Sequence, residues 1–475
     1  MFDAAIVVLY LFVTLSIGIL NSAKVSNNRE YSTGGSQYSA AVIFCTLTAS
    51  YTGGGFTIGL AEKTFIFGIL YIIAMYGFSL KEILIAKYIA PRVGHFQNTC
   101  VTAGDIMKTA YGRVGKISTG FASIIVCGGV IGAQLAACGN IFESFLHIPS
   151  LYGTLITAGI IIIYVTLGGV KSVVKVNIFH FTMIVTTITL LSIFGLNKVG
   201  GIQGLKTLTP DHYFSAVGTT NYLTLFLLFL SFFLGETLVP PYMQRLLIGK
   251  NSRETTRGTF YSGIISIFIF TLVGIIGIIA YTINPTIQPQ FAFSTAVSEL
   301  LPVGLKGIGI AAMLAIIMSS ADSFLHSTSL AVRLDILEPL GFKASGNTQI
   351  ELRFLRSISF VVGVIATIFA LTTDSVLDIL LYSYQFWTPF ILVPLVAAIY
   401  KVKTSSTVFI LSSAAGIATV LLWNMMSTYV SPVKGSLEGV ILGTTANLIA
   451  FTLLRLVPSL RLNGTKSDEV KPINY

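Results

Sequence analysis

Charge is what this chain has least of. Lysine, arginine, aspartate and glutamate make up 10% of its 475 residues, against about a quarter in an ordinary soluble domain. With 54% hydrophobic residues and a mean hydropathy of +0.83, so few charges cannot cover a protein of this length. Its surface must face lipid. Cysteine is scarce as well: Cys45, Cys100, Cys127 and Cys138 show no CxxC spacing, which argues against a zinc centre or a disulfide framework and leaves buried packing. No HExxH and no GxSxG occurs, so an intramembrane enzyme built on Asp322, His326 and a serine has little support, although Asp322 and His326 stand one turn apart. The start, Met1-Phe2-Asp3, lacks the basic residues and the cleavage site of a secretory signal, and a retained first helix is expected. A net charge of +10 invites a nucleic-acid reading, but basic residues in a membrane protein mostly set topology. No nucleic-acid partner is expected.

What the chain does have is a series of apolar windows. Thirteen of spanning length run from about residues 3–20 to about 436–456. An odd number puts the termini on opposite sides of the bilayer. Basic residues gather in alternate gaps, among them Arg92, Lys116, Lys171, Arg245, Lys250, Arg257, Lys343, Lys401 and Lys403. The positive-inside rule makes those gaps cytoplasmic, so the N-terminus is expected outside and the C-terminus inside.

Two windows are interrupted. The second holds Gly53-Gly54-Gly55, and the seventh holds Gly235-Glu236 followed by Pro240-Pro241. Such residues remove helix hydrogen bonds that lipid cannot replace, so the freed backbone must be buried in protein or line a cavity. Counted from the second window, the breaks fall on helices one and six of a five-plus-five repeat. Matched interruptions of this kind point to a transporter's midplane site. The expected organisation is an extra helix and loop (1–37), a first repeat (38–200), a second repeat (201–402), and two peripheral helices with a short tail (403–475).

The segment AAMLAIIMSSADS (Ala311–Ser323) places three hydroxyls and a carboxylate in an apolar helix. Any one hydroxyl there can simply bond its own i−4 carbonyl. An intramembrane aspartate beside Ser319, Ser320 and Ser323 is costlier and marks an ion or solute path. Hydroxyls and carbonyls freed at the glycine break supply oxygens at low net charge, the donor set of a hard monovalent cation. A sodium site between the broken helix and the serine pair is the expectation.

The same residues carry a family resemblance. AAMLAIIMSSADSFLHSTSLAVRLDI (Ala311–Ile336) resembles the eighth core helix of the sodium:solute symporter family, which includes sodium-coupled carriers of proline, pantothenate, sugars and choline. TASYTGGGFTIGLAEKTF (Thr48–Phe65) is similar to the first core helix, PYMQRLLIGK (Pro241–Lys250) to the end of the sixth, and TLGGVKSVVKVNIFHF (Thr166–Phe181) to the entry of the fifth. The resemblance implies an all-α polytopic membrane protein with a LeuT-like inverted repeat and broken first and sixth core helices. It also implies a sodium site formed by the carbonyls of Ala49, Thr52 and Ile316 with the hydroxyls of Ser319 and Ser320, sodium being the coupling ion. Many members have an aspartate where this chain has Asn177, and a glutamine is common where it has His180. Asn177 keeps an oxygen and loses the charge, so one sodium per cycle is expected. Asn177, His180, Asp322 and Ser323 stand as residues of an exit route or an incomplete second ion site.

The solute belongs beside the sodium, between the two breaks. Candidates to contact it are Tyr51, Gly53, Gly54, Phe56, Gln134, Glu236, Tyr242, Tyr384, Gln385 and Trp387. Aromatic faces and a carboxylate suit a cationic or zwitterionic solute, and Glu236 suits equally the freed amides of its own break. Choline carriers have tryptophans where this chain has Tyr51 and Val239, so a full choline cage is not expected. An amino acid or a related zwitterion is the leading expectation. A sugar or carboxylate carrier, or a proton-coupled or passive permease of the same fold, are the alternatives.

Overall fold

A backbone in hydrocarbon must satisfy its own polar groups, and apolar runs of this length therefore fold as helices. The computed structural model describes residues 2–342, 347–372, 385–430, 436–457 and 460. Among the described residues there is no strand, only one isolated bridge between Tyr38 and Gly249. In order come α1 (Phe2–Ser22), the short α2 (Asn28–Thr33), α3 (Ala40–Tyr51), α4 (Ile58–Phe67), α5 (Leu70–Leu84), α6 (Ala103–Leu146) and α7 (Ser150–Val199). Then follow α8 (Tyr222–Leu234), α9 (Pro240–Leu247), α10 (Ser252–Ile283), α11 (Leu305–Leu330), α12 (Thr348–Thr372), α13 (Val393–Ile399), α14 (Ser406–Val430) and α15 (Ser436–Leu456).

Eight described helices are long and apolar enough to cross a bilayer. Among the described residues the predicted windows map onto these helices and onto broken ones, except that much of the window at about 374–400 lies outside the described residues. The second window is α3 plus α4, and the seventh is α8 plus α9. Two windows are joined in α7, whose hydrogen bonding runs through a kink at Gly169. That residue has φ 52°, and a Cβ there would lie 2.4 Å from the Tyr31 carbonyl oxygen. Only glycine fits both the conformation and the approach. Just beyond the kink, Lys171 donates to the Lys24 carbonyl and pairs with Glu30 at 3.1 Å. The Ser26 amide, and Lys171 after it, hold the Glu30 carboxyl below its usual range.

Every residue of α11 from Gly309 to Leu330 is buried, because α1, α3, α6, α7 and α12 surround it. A helix enclosed on all sides needs no polar face, so polar residues on it serve something other than solvation. Its start is fixed by Asp3, whose carboxylate accepts the Gly304 and Gly307 amides at 2.8 Å each. Its other end continues as a π-helix, Ala331–Leu337, on the face that carries the α2 loop.

Candidate functional site: neutral oxygens at the first helix break

The two breaks are secured differently. At the first, α3 ends where the glycines begin, and the freed groups are taken up locally. The Thr57 hydroxyl donates to the Gly53 carbonyl (2.8 Å), the Phe56 and Thr57 amides bond the same oxygen (3.2 Å each), and Gln134 Oε1 accepts the Gly54 amide at 3.4 Å. At the second, carbonyls 234–237 all receive side chains from elsewhere. Thr388 bonds those of Leu234 and Gly235 (3.2 and 2.7 Å), Lys81 that of Glu236 (3.2 Å), and the Trp387 indole that of Thr237 (3.0 Å). Leu238 has φ 53°, and Pro240 and Pro241 open α9, where a missing amide costs nothing.

Beside the first break, the Ser319 hydroxyl lies 2.9 Å from the Ala49 carbonyl oxygen and 3.1 Å from that of Ile316. One hydroxyl has one proton, so it bridges two carbonyls on two helices. Ser320 sits against Gly53, where a Cβ would stand 2.9 Å from its Oγ. Thr52 ends α3 with its hydroxyl on the Thr48 carbonyl at 2.5 Å. All five residues are buried. The Ser319 hydroxyl and the Ala49 and Ile316 carbonyls therefore meet at one place with Ser320 alongside, and neutral oxygens of this kind suit a monovalent cation better than a divalent one.

Below these oxygens, Ser323 is a junction. Its Oγ lies 2.8 Å from Arg245 Nη2, 3.0 Å from Asn177 Nδ2, 2.9 Å from Ser50 Oγ and 3.0 Å from Asp322 Oδ1. Asp322 accepts the Tyr164 hydroxyl at 2.7 Å. His180 Nε2 meets the Tyr10 hydroxyl at 3.0 Å, and its Nδ1 has no hydrogen-bond partner among the described residues. With Arg245 on Ser323, three of the groups named as an exit route or second ion site, Asn177, Asp322 and Ser323, form a buried polar network that already contains a cation, while His180 bonds Tyr10 instead.

The solute candidates divide. Tyr51, Phe56 and Tyr242 join an aromatic cluster with Phe78 and Phe270, ring centroids 4.9–6.4 Å apart. The Tyr51 hydroxyl is held by the Ser262 carbonyl at 2.7 Å. The Tyr242 hydroxyl donates to Glu236. Gly53, Gly54 and Gln134 lie beside the neutral oxygens of the first break. Trp387 is fully buried against the second break, and Gln385 Oε1 accepts from Asn424 at 2.9 Å. Tyr384 lies outside the described residues.

Sequence reasoning missed Lys81 and Glu82. Both are buried on α5; Lys81 Nζ is 3.0 Å from Glu82 Oε1 and 3.5 Å from the Phe78 ring centroid. Two adjacent opposite charges inside an apolar window were the signal available. Lys81, Glu82 and Glu236 together bring two carboxylates and one ammonium to the second break.

Comparison with known proteins bears on the fold and the family. The chain is 24% identical over 326 residues to the sodium/glucose cotransporter of Vibrio parahaemolyticus, covering 61% of this chain and 60% of that one. Against the high-affinity proline transporter PutP of Bacillus subtilis (strain 168) it is 23% identical, covering 86% of this chain and 89% of that one. The matched regions span about six tenths of the length of the first such relatives. The solved substrate-bound, outward-open structure of a Na+-coupled sialic acid symporter superposes with a TM-score of 0.82 at 17% identity, covering 96% of this chain and 97% of that one. The fold is thus the LeuT-like one, with broken first and sixth core helices. The family model described as "Sodium:solute symporter family" matches residues 31–416, the stretch that holds both breaks and the serine pair, and the chain belongs to that family.

Proposed function

We propose that the protein is a secondary active transporter that couples inward sodium movement to uptake of a small polar solute by alternating access. The carrying observation is the Ser319 hydroxyl joining the Ala49 and Ile316 carbonyls. A sodium ion there replaces that hydrogen bond with ion–oxygen contacts and ties the first core helix to the eighth. Ala49, Thr52, Ile316, Ser319 and Ser320 are its ligands in this reading. Residues 38–200 and 201–402 form the two repeats, with the N-terminus outside and the basic face, including the α2 loop and the end of α11, cytoplasmic.

An amine-bearing zwitterion is the solute class best supported. The Glu82 and Glu236 carboxylates lie beside the aromatic cluster, and carboxylates next to aromatic faces are the groups that receive a substrate amine. Asn177 donates to Ser323 and brings no charge, which supports one sodium per cycle.

The test starts with a thermal-shift screen of small metabolites with and without sodium. A true solute stabilises the protein only when sodium is present. Uptake of that solute into proteoliposomes should fall at least tenfold on replacing sodium with potassium, and again in Ser319→Ala/Ser320→Ala, with a sodium Hill coefficient near one. Uptake indifferent to sodium would refute the coupling, and a coefficient approaching two would refute the single site.

A further inference from the structure

The hydroxyl stripe on α11 does not stop at the cage. Ser319, Ser323, Ser327, Ala331 and Asp335 follow at intervals of four residues, a ridge that winds round the helix by about 40° per α-helical step. The row ends at a buried carboxylate about 24 Å from Ser319 at 1.5 Å per residue, on the basic face.

Asp335 is 1% exposed. Two glycines of α6 make room for it. A Cβ at Gly104 would lie 2.4–2.6 Å from its carboxylate atoms, and one at Gly120 would lie 2.7 Å from its Cβ. Thr102 donates to Oδ1 at 2.7 Å, while Oδ2 has no hydrogen-bond partner among the described residues. A cavity of ≈ 10 Å³ adjoins it, lined by Thr102, Ser123, Gln244, Ser327 and Asp335 among others. That is room for about one water or one small cation.

The donor chemistry chooses between the two. The Thr102 proton is committed to Asp335, the Ser123 proton to the Thr119 carbonyl (2.7 Å), and the Ser327 proton to Gln244 Oε1 (3.2 Å). Each hydroxyl has only lone pairs left to offer, and the carboxylate has nothing else. A water has two protons and can serve two of these four oxygens, whereas a sodium ion takes all of them as ligands. Lys116 lies 2.7 Å from Asp105 and is engaged by that carboxylate rather than by Asp335. Arg333 turns instead over the Phe354 ring.

We propose that Asp335 Oδ2, with the hydroxyl oxygens of Thr102, Ser123 and Ser327, forms an inner station that sodium occupies on its way from the cage to the cytoplasm. This rests on the sodium reading above and adds to it a site and a route. The Arg245 guanidinium, 2.8 Å from Ser323, lies across the stripe between cage and station and closes it electrostatically. Pro240 and Gln244 line the cavity and sit on the same short helix as Arg245, so one displacement of α9 withdraws the barrier and opens the station together.

The test is 22Na+ exchange in uniformly oriented proteoliposomes, with unlabelled sodium titrated separately on each face. Asp335→Asn should raise the half-saturating sodium concentration on the cytoplasmic face about tenfold and leave the external value within twofold; Asp335→Glu should recover part of the loss. Ser327→Ala removes one ligand without touching Lys116 or Asp105 and should raise the cytoplasmic value about threefold, which keeps the test intact if Asp335→Asn does not assemble. Values unchanged on both faces, or raised equally on both, would overturn the assignment while leaving the sodium cage standing. No exchange above protein-free vesicles in the unsubstituted protein would refute the sodium reading itself, and the station with it.

Discussion

Gly53→Ala adds one methyl group at the most crowded point of the cage. The new Cβ would lie 2.9 Å from Ser320 Oγ and 3.0 Å from Ser320 Cβ, with Gln134 Nε2 at 3.5 Å. Both Ser320 distances are below normal contact, so Ser320 must move, and it is fixed in a helix buried on every side. Overpacking of this kind costs about 1–3 kcal/mol. If about 1–2 kcal/mol of that falls on the sodium-bound state, where the hydroxyl must point at the ion, affinity drops roughly 5- to 30-fold. Gly55→Ala is the internal control, because a Cβ there has no heavy atom within 4 Å. The assay is the rise in unfolding temperature with sodium concentration in detergent, fitted for an apparent Kd, since a ligand of the folded state stabilises it by RT ln(1 + [L]/Kd). Gly53→Ala should shift that curve to higher sodium and Gly55→Ala should leave it within twofold. Coincident curves for the two variants would sink the idea that Ser320 is positioned against Gly53 for the ion.

Lys81→Met strands the Glu82 carboxylate in a buried site and should cost about 3–5 kcal/mol, while Lys81→Met/Glu82→Gln should regain more than half of it; equal unfolding midpoints for single and double variants would contradict the pairing. Gly169→Ala puts a side chain at φ 52° and 2.4 Å from the Tyr31 carbonyl oxygen, and should lower the unfolding temperature or prevent assembly. Gly159→Ala, in open space on the same helix, should do neither, and size-exclusion profiles with thermal scans of both variants check the contrast.

The breaks and the serine pair were legible because their signals are local. Three glycines in a row, or two prolines, cannot sit in a lipid-facing helix whatever surrounds them. The partners of the breaks were not legible, because they come from far along the chain. Lys81 reaches the Glu236 carbonyl across 155 residues and Trp387 reaches that of Thr237 across 150, and no spacing rule joins such positions. Tyr51 and Trp387 illustrate the limit on aromatics. Sequence places them near a break, but only packing reveals that one hydroxyl is held by Ser262 and that the indole props a carbonyl. Asp335 carries no local signal of its setting, because the two glycines that admit it, Gly104 and Gly120, are on another helix.

The unequal fastening of the two breaks gives the protein a mechanical asymmetry. Carbonyls 234–237 are bolted by Thr388, Lys81 and Trp387 to two other elements. The glycine break instead leans on its own turn and on one long contact to Gln134. Under load from an arriving ion or solute, the second break acts as the anvil and the first as the spring. Compliance is concentrated in the helix that, in the sodium reading, supplies two of the cage's five oxygens, so an ion bound there would stiffen the looser of the two joints.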